Sequence, residues 1–140
     1  MEFLICLSGV FSLVLGILHF FFPILFDFEH AIPKAGEKPL KPFRLLYIHY
    51  QTKRSDVLGI AWVMNHCVSF VLVTIGIVDL CFLKWENAQF APYLTAWTGV
   101  WWMLRAGSQL YLGQRRGDWY ILIAFASLGV IHFVFTITHL

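Results

Sequence analysis

The chain has 140 residues, of which 59% are hydrophobic and 13% are charged, and its mean hydropathy is +0.73. Soluble domains average about 25% charged residues, so this composition excludes an ordinary soluble domain and indicates a small membrane protein with one domain. The net charge of +2 comes from basic residues that flank apolar runs, as is typical of segments beside a membrane. This distribution gives no sign of nucleic-acid binding.

Four apolar runs predict four transmembrane helices, at residues 3–26, 57–82, 92–112 and 119–139. The first run would span ~36 Å at ~1.5 Å per residue, which is enough to cross a hydrocarbon core of ~30 Å. It follows an acidic residue and lacks a small-residue cleavage site, so we expect a retained helix rather than a signal peptide. Together the runs predict an all-α four-helix transmembrane bundle, in which short turns make the last three helices antiparallel neighbours.

Residues 27–56 form the only long polar segment, and prolines and a glycine in its first part predict a loop. After Pro42, aromatic and apolar side chains recur with i, i+3, i+4 and i+7 spacing, at Phe43, Leu46, Tyr47 and Tyr50. This spacing predicts a short amphipathic helix that lies in the membrane interface within the first loop.

The basic residues predict the orientation of the four helices. Eight of them fall in residues 27–56 and in the turn at 113–118, whereas Lys84 alone falls on the opposite side. By the positive-inside rule, both basic segments are cytoplasmic and both chain termini are non-cytoplasmic. A bacterial inner membrane fits this pattern best.

Arg105 lies well inside the third apolar run, where a charge is costly and usually faces a bundle interior, a cavity or a partner. Helical periodicity places five further residues on its face: Thr98, Trp101, Trp102, Ser108 and Gln109. We consider three roles for Arg105. It pairs with an acidic residue near the cytoplasmic boundary, it extends to the headgroups, or it holds a ligand such as a lipid headgroup, a quinone or a haem propionate.

Each of the other three runs carries a histidine on a predicted inner face: His19, His66 and His132. At ~1.5 Å per residue, His19 and Arg105 lie ~10 Å from the cytoplasmic helix ends, His66 ~14 Å and His132 ~20 Å. These depths predict a polar pocket in which Arg105, His66 and His19 hold the head of a lipid- or quinone-like molecule. Gln109 would lie beside the head, and Trp101 and Trp102 would flank the body of the ligand.

Two alternative functions remain open. One is a membrane oxidoreductase subunit that binds haem or a metal through His19, His66 and perhaps His132. The depth difference of ~10 Å between the first and last of these argues against a single three-histidine metal site. The other is a structural or oligomerising protein, which would explain the small residues at Ser8, Ser12 and Gly16. No recognised catalytic motif is present in the sequence, so an enzymatic activity and its catalytic residues are left unassigned.

The cysteines are expected to have structural rather than chemical roles. Cys67 falls inside an apolar run and is expected to be a small buried side chain. Cys6 and Cys81 fall near helix ends on the same predicted side of the membrane, where a disulfide between them is geometrically conceivable.

The segment GILHFFFP, with a polar cytoplasmic loop and four spans in a short chain, resembles the DoxX-like group of small membrane proteins. The local match consists of Gly16, His19 and Pro23. Members of that group have been linked to quinone-dependent sulfur oxidation and to membrane redox complexes. The resemblance implies a four-helix bundle that works as a subunit or a small-ligand binder, and it transfers no catalytic residue to this chain.

Overall fold

The computed structural model describes residues 2–33, 35, 43–45, 48–50, 53–111 and 116–140, and the prediction of a helical protein is confirmed for this part of the chain. The helices are α1 (Glu2–Leu25), α2 (Phe28–Ala31), α3 (Arg54–Leu80), α4 (Phe82–Trp85), α5 (Ala91–Ser108) and α6 (Arg116–His139). A 3-10 turn, Gln109–Tyr111, continues α5. The four longer helices occupy the four apolar runs.

Local chemistry sets several of these boundaries. The α1 helix ends just after Pro23, and Asp27 then adopts a left-handed backbone with φ of 48° that redirects the chain. At the start of α3, the Asp56 carboxylate accepts a hydrogen bond of 2.8 Å from the backbone N–H of Lys53, which is the contact that the third helical residue makes in a capping box. Pro92 lies in the first turn of α5, where its missing N–H costs no hydrogen bond.

In the part of the chain that the structure describes, three helices are long and apolar enough to cross a membrane: α1, α3 and the Gly117–His139 part of α6. Large apolar side chains are exposed along them, including Phe21, Val63 and Ile123. Such exposure is unusual for a soluble monomer and indicates a membrane protein. The α5 helix is not among the three, because three tryptophans, two threonines and Arg105 lower the hydropathy of its 18 residues.

The interfacial helix predicted after Pro42 is wrong for the described residues of that segment. Phe43–Leu45 forms β1 and Ile48–Tyr50 forms β2, and the two strands pair antiparallel with Phe43 opposite Tyr50. Phenylalanine, tyrosine and isoleucine favour strands. An isolated helix of this length is only marginally stable, whereas a hairpin satisfies backbone groups of both segments at once.

Packing divides the chain into two compact units. We call Met1–Phe11 with Ile75–Leu140 the terminal unit, and Ser12–Thr74 the loop unit. The core of the terminal unit is a buried cluster that combines α1, α4, α5 and α6, namely Ile5, Phe82, Ala91 and Phe135.

Within the terminal unit, α5 and α6 run antiparallel. Thr95 hydrogen bonds to Thr136 at 2.9 Å, whereas Trp102, further along α5, contacts Phe125, which lies earlier on α6. Between these contacts the helices approach closely, because a Cβ added to Gly129 would lie 3.2 Å from the carbonyl oxygen of Gly99.

The small residues of α1 also permit close approach to another helix. In the terminal unit, a Cβ added to Gly9 would lie 2.9 Å from the Cβ of Asp79. In the loop unit, a Cβ added to Gly16 would lie 2.8 Å from the backbone nitrogen of Val73. The packing role expected of Gly16 is therefore confirmed.

Candidate functional site

The last turn of α5 holds Arg105, whose side chain is half-buried. Its Nη1 donates to the Ser108 hydroxyl at 3.0 Å and to the Gln109 side-chain oxygen at 3.1 Å. The spacings i+3 and i+4 place these partners on the same helix face. Ser108 in turn donates to the backbone carbonyl of Arg105 at 2.8 Å, so the arrangement is built within a single stretch of chain.

An aromatic wall adjoins this arrangement. The Arg105 guanidinium carbon lies 5.0 Å from the centre of the Phe125 ring, within the range of a cation–π contact. Trp102 packs on the same ring at 5.2 Å, and Phe11 of α1 lies 6.2 Å from Trp102. Trp101 completes the wall, edge-on to Trp102 at 4.8 Å.

The contacts described for Arg105 are all to neutral groups: a hydroxyl, an amide and an aromatic ring. Both hydrogen bonds use Nη1, and the described residues supply no hydrogen-bond partner for Nε or Nη2. A half-buried cation without a paired anion is costly. The site therefore has one positive charge and guanidinium donors that the described residues leave unused.

Trp102 adds a second unused donor. Its side chain is fully buried, at 0% exposure, and no hydrogen-bond partner for its indole Nε1–H exists among the described residues. A buried donor left unsatisfied costs about 1–3 kcal/mol, and native structures contain few of them. Together the two side chains supply only donors, which suits a ligand rich in acceptors such as a phosphate, a carboxylate or a carbonyl.

The structure thus brings four of the predicted ligand-binding residues together in the terminal unit: Arg105, Gln109, Trp101 and Trp102. The other two, His19 and His66, belong to the loop unit. Their assignment to one ligand with Arg105 stays a prediction.

His19 forms a closed pair with Asn65 of α3. Its ring Nδ1 lies 3.3 Å from the Asn65 side-chain oxygen, and the Asn65 side-chain amide donates to the His19 carbonyl. The histidine is buried. This reciprocal arrangement satisfies polar groups on two helices, and it resembles the interhelical hydrogen bonds that stabilise membrane bundles.

His66 does not occupy the buried inner face that was predicted for it. Its side chain is exposed, stacks on the Trp62 ring at 5.6 Å, and donates from Nδ1 to the Trp62 carbonyl at 2.8 Å. Cys67, expected to be buried, is exposed beside it. Both predictions were wrong because α3 is apolar around most of its circumference, so sequence periodicity does not identify the packed face.

A buried pair that sequence reasoning missed lies elsewhere in the terminal unit. Asp79, at 1% exposure, lies with its Oδ2 3.2 Å from Nε2 of His132, at 0% exposure. Asp79 lies near the end of α3 and is nevertheless buried. Both residues lie near the helix ends that were predicted to be non-cytoplasmic, and that shared position was the signal available in the sequence.

The hydrogen bonds of His132 define the chemistry of this pair. Its Nδ1 lies 2.8 Å from the Leu128 carbonyl oxygen, which only accepts, so Nδ1 carries a proton. The contact between Nε2 and the Asp79 carboxyl requires one further proton, held by either partner. Asp79 and His132 thus form an electrically neutral pair inside the protein.

The surroundings of the histidines and cysteines are relevant to the alternative that the protein binds haem or a metal. Both ring nitrogens of His132 already have partners. In the part of the chain that the structure describes, no group of three or more histidine, cysteine or acidic side chains is arranged to hold a metal ion. Cys6 and Cys81 are free thiols.

Comparison of the chain with protein-family models, with curated proteins and with solved structures gives no match.

Proposed function

We propose that the chain is a multi-pass membrane protein that binds a lipid- or quinone-like amphiphile through Arg105 and Trp102, and that it acts as an accessory subunit or binder. The observation that carries this proposal is the donor set just described: unused guanidinium N–H groups and an unpartnered indole N–H. An acceptor head satisfies the half-buried guanidinium directly, and it reaches the indole N–H once the side chains that cover Trp102 move aside. Gln109 orients the guanidinium rather than contacting the ligand.

The proposed setting is a four-helix bundle in which α5 crosses the membrane with α1, α3 and α6. Its 18 residues span ~27 Å at ~1.5 Å per residue, which is close to the thickness of the hydrocarbon core. With the termini outside, the end of α5 that carries Arg105 lies at the cytoplasmic boundary. The head of an amphiphile lies at that level, and its apolar body can extend along Trp101 and Trp102 toward the bilayer centre.

The resemblance to DoxX-like proteins supports a role as a subunit or small-ligand binder. A haem-dependent role receives less support from the geometry. His19 is buried and His66 is exposed, so their side chains do not face a common space as a pair of axial ligands would.

The test is mass spectrometry of small molecules extracted from detergent-purified protein, with an absorption spectrum of the same sample. We expect one amphiphile per chain in the wild type, loss of it in Arg105→Leu, and reduced retention in Trp102→Phe. Trp97→Phe is the matched control, because Trp97 lies on the same helix and is 58% exposed. A wild-type extract without such a molecule refutes the proposal, and a haem absorption band favours the oxidoreductase alternative.

A further inference from the structure

We propose that the head recognised by Arg105 and Trp102 is the phosphodiester of an anionic phospholipid, rather than the neutral carbonyl of a quinone. This inference rests on the proposed function and narrows the class of its ligand. Three independent properties of the site lead to it: its charge, the geometry of its donors and its position along the chain.

The charge of the site favours an anion. Burial removes water from the Arg105 guanidinium, and the hydroxyl, amide and ring around it restore hydrogen bonding without supplying a negative charge. A quinone carbonyl would fill the unused donors and still leave the cation uncompensated. A phosphate supplies both acceptor oxygens and the missing negative charge, and such charge-assisted hydrogen bonds are about twice as strong as neutral ones.

The geometry of the unused donors favours two oxygens on one atom. Because Ser108 and Gln109 both engage Nη1, the edge of the guanidinium formed by Nε and Nη2 is left open. The two N–H groups on this edge are parallel, and they match a pair of phosphate oxygens in a bidentate contact. A single carbonyl oxygen uses only half of that edge. The indole N–H of Trp102 adds a donor for a further ester or glycerol oxygen once the side chains that cover it move aside.

The position of the site favours a lipid of the cytoplasmic leaflet. Arg105 lies in the last turn of α5, and the sequence that follows contains the basic residues Arg115 and Arg116. Anionic lipids are attracted to basic segments at the cytoplasmic surface. The lipid tails then lie against the exposed apolar side chains of α5, such as Leu104.

The experiment uses the full-length protein, stripped of lipid and returned to micelles of phosphatidylcholine that contain a minor fraction of either phosphatidylglycerol or a short-chain quinone. Native mass spectrometry counts the bound molecules. We expect one retained phosphatidylglycerol with at least about tenfold preference over phosphatidylcholine, and about a tenfold loss of that preference in Arg105→Gln. Arg105→Lys keeps the charge but not the fork, so we expect an intermediate loss. Trp97→Phe serves as the unaffected control.

The outcomes separate this inference from the function on which it rests. Retention of the quinone through Arg105, without preference for phosphatidylglycerol, overturns the inference and leaves the proposed function standing. If inorganic phosphate alone displaces the lipid, the site binds a soluble anion, and the proposal of a lipid ligand is overturned. A preference that survives in Arg105→Lys and in Trp102→Phe also overturns it, even if Arg105→Gln does not fold. Absence of any bound amphiphile refutes both proposals.

Discussion

The two units of the molecule differ in how completely their buried polar groups are satisfied. In the loop unit, His19 and Asn65 exchange hydrogen bonds through side chain and backbone. In the terminal unit, Asp79 of α3 and His132 of α6 form a similarly closed pair, but on α5 the indole N–H of Trp102 and part of the Arg105 guanidinium find no acceptor among the described residues. The buried polar residues are therefore of two kinds: those whose donors and acceptors are satisfied within the chain, and those with unused donors.

This difference divides the polar residues that the sequence assigned to one pocket. Histidines attracted attention in the sequence because they can bind metals and haem. In the structure, His19 and His132 serve as partners within the bundle, whereas the unused capacity lies on an arginine and a tryptophan. If closed pairs support stability and unused donors support binding, substitutions at the two kinds of residue have different effects.

The largest effect is expected from His132→Ala, which leaves the Asp79 carboxyl buried without its partner. Removal of one member of a buried ionisable pair costs about 3–5 kcal/mol. We expect the free energy of unfolding in detergent micelles to fall by about this amount. His139→Ala is the matched control, since that histidine lies on the same helix and is exposed. Equal losses in both variants contradict the structural role of the pair.

The next largest loss of stability is expected where a glycine allows two helices to approach closely. Gly16→Ala places a methyl group 2.8 Å from the backbone of Val73, and such overpacking costs about 1–3 kcal/mol. Gly59→Ala in the same unit meets no atom within 4 Å, so we expect it to be neutral or to stabilise the helix by about 0.5–1 kcal/mol. Thermal unfolding of the two variants measures the difference. A stable Gly16→Ala protein argues against the close approach.

A smaller loss is expected from Asn65→Ala in the loop unit. Interhelical hydrogen bonds in membrane proteins are worth about 0.6 kcal/mol on average and up to about 1.7 kcal/mol. Because Asn65 makes two hydrogen bonds with His19, we expect a loss near the upper end of that range. We expect amphiphile binding to be unchanged. A variant that has the stability of the wild type but has lost the ligand would place the ligand site in the loop unit.

The substitution Asp79→Asn tests which atoms carry the protons in the pair of Asp79 and His132. Because Nδ1 of His132 carries its proton toward Leu128, Nε2 of a neutral ring is an acceptor, and an asparagine amide can donate to it. We expect a loss below about 1 kcal/mol, less than the 1–3 kcal/mol expected for an unsatisfied buried group in Asp79→Ala. Equal losses in the two unfolding measurements contradict this tautomer.

The smallest effect on stability is expected from Trp102→Phe. The substitution removes a buried donor that has no partner but leaves a cavity where the larger indole packed, and because these effects oppose each other the free energy of unfolding of the ligand-free protein changes by less than about 1 kcal/mol. Ligand retention falls in the same variant. A marked loss of stability in ligand-free protein indicates that the indole N–H has a structural partner.

Much of the helical framework followed from the sequence, because apolar runs long enough to cross a membrane dominate the composition. Part of the candidate site followed as well, since Ser108 and Gln109 lie at i+3 and i+4 from Arg105 and are fixed by helical geometry. The contact of Trp102 with Phe125 depends on how α5 and α6 pack, and single-helix periodicity carries no information on that packing.

The failures have physical causes of the same kind. Helix rotation decides that Asp79 is buried and His66 exposed, and in a helix that is apolar on nearly all sides the sequence leaves that rotation open. The aromatic spacing after Pro42 fitted an amphipathic helix, yet the same residues favour strands. Asp79 and His132 are 53 residues apart, so their pairing appears only once the fold is known.

The separation between those two residues has a consequence for biosynthesis. The α3 helix leaves the ribosome with its aspartate well before the histidine on α6 has been made. An unpaired aspartate near the centre of a membrane helix costs about 2.5–3.5 kcal/mol during insertion, and less toward the helix end where Asp79 lies. The nascent α3 carries this penalty until α6 arrives. Insertion of α6 thus supplies the partner of an aspartate on α3, a helix that was inserted earlier. A chain interrupted before α6 keeps that acid in the bilayer without its histidine partner.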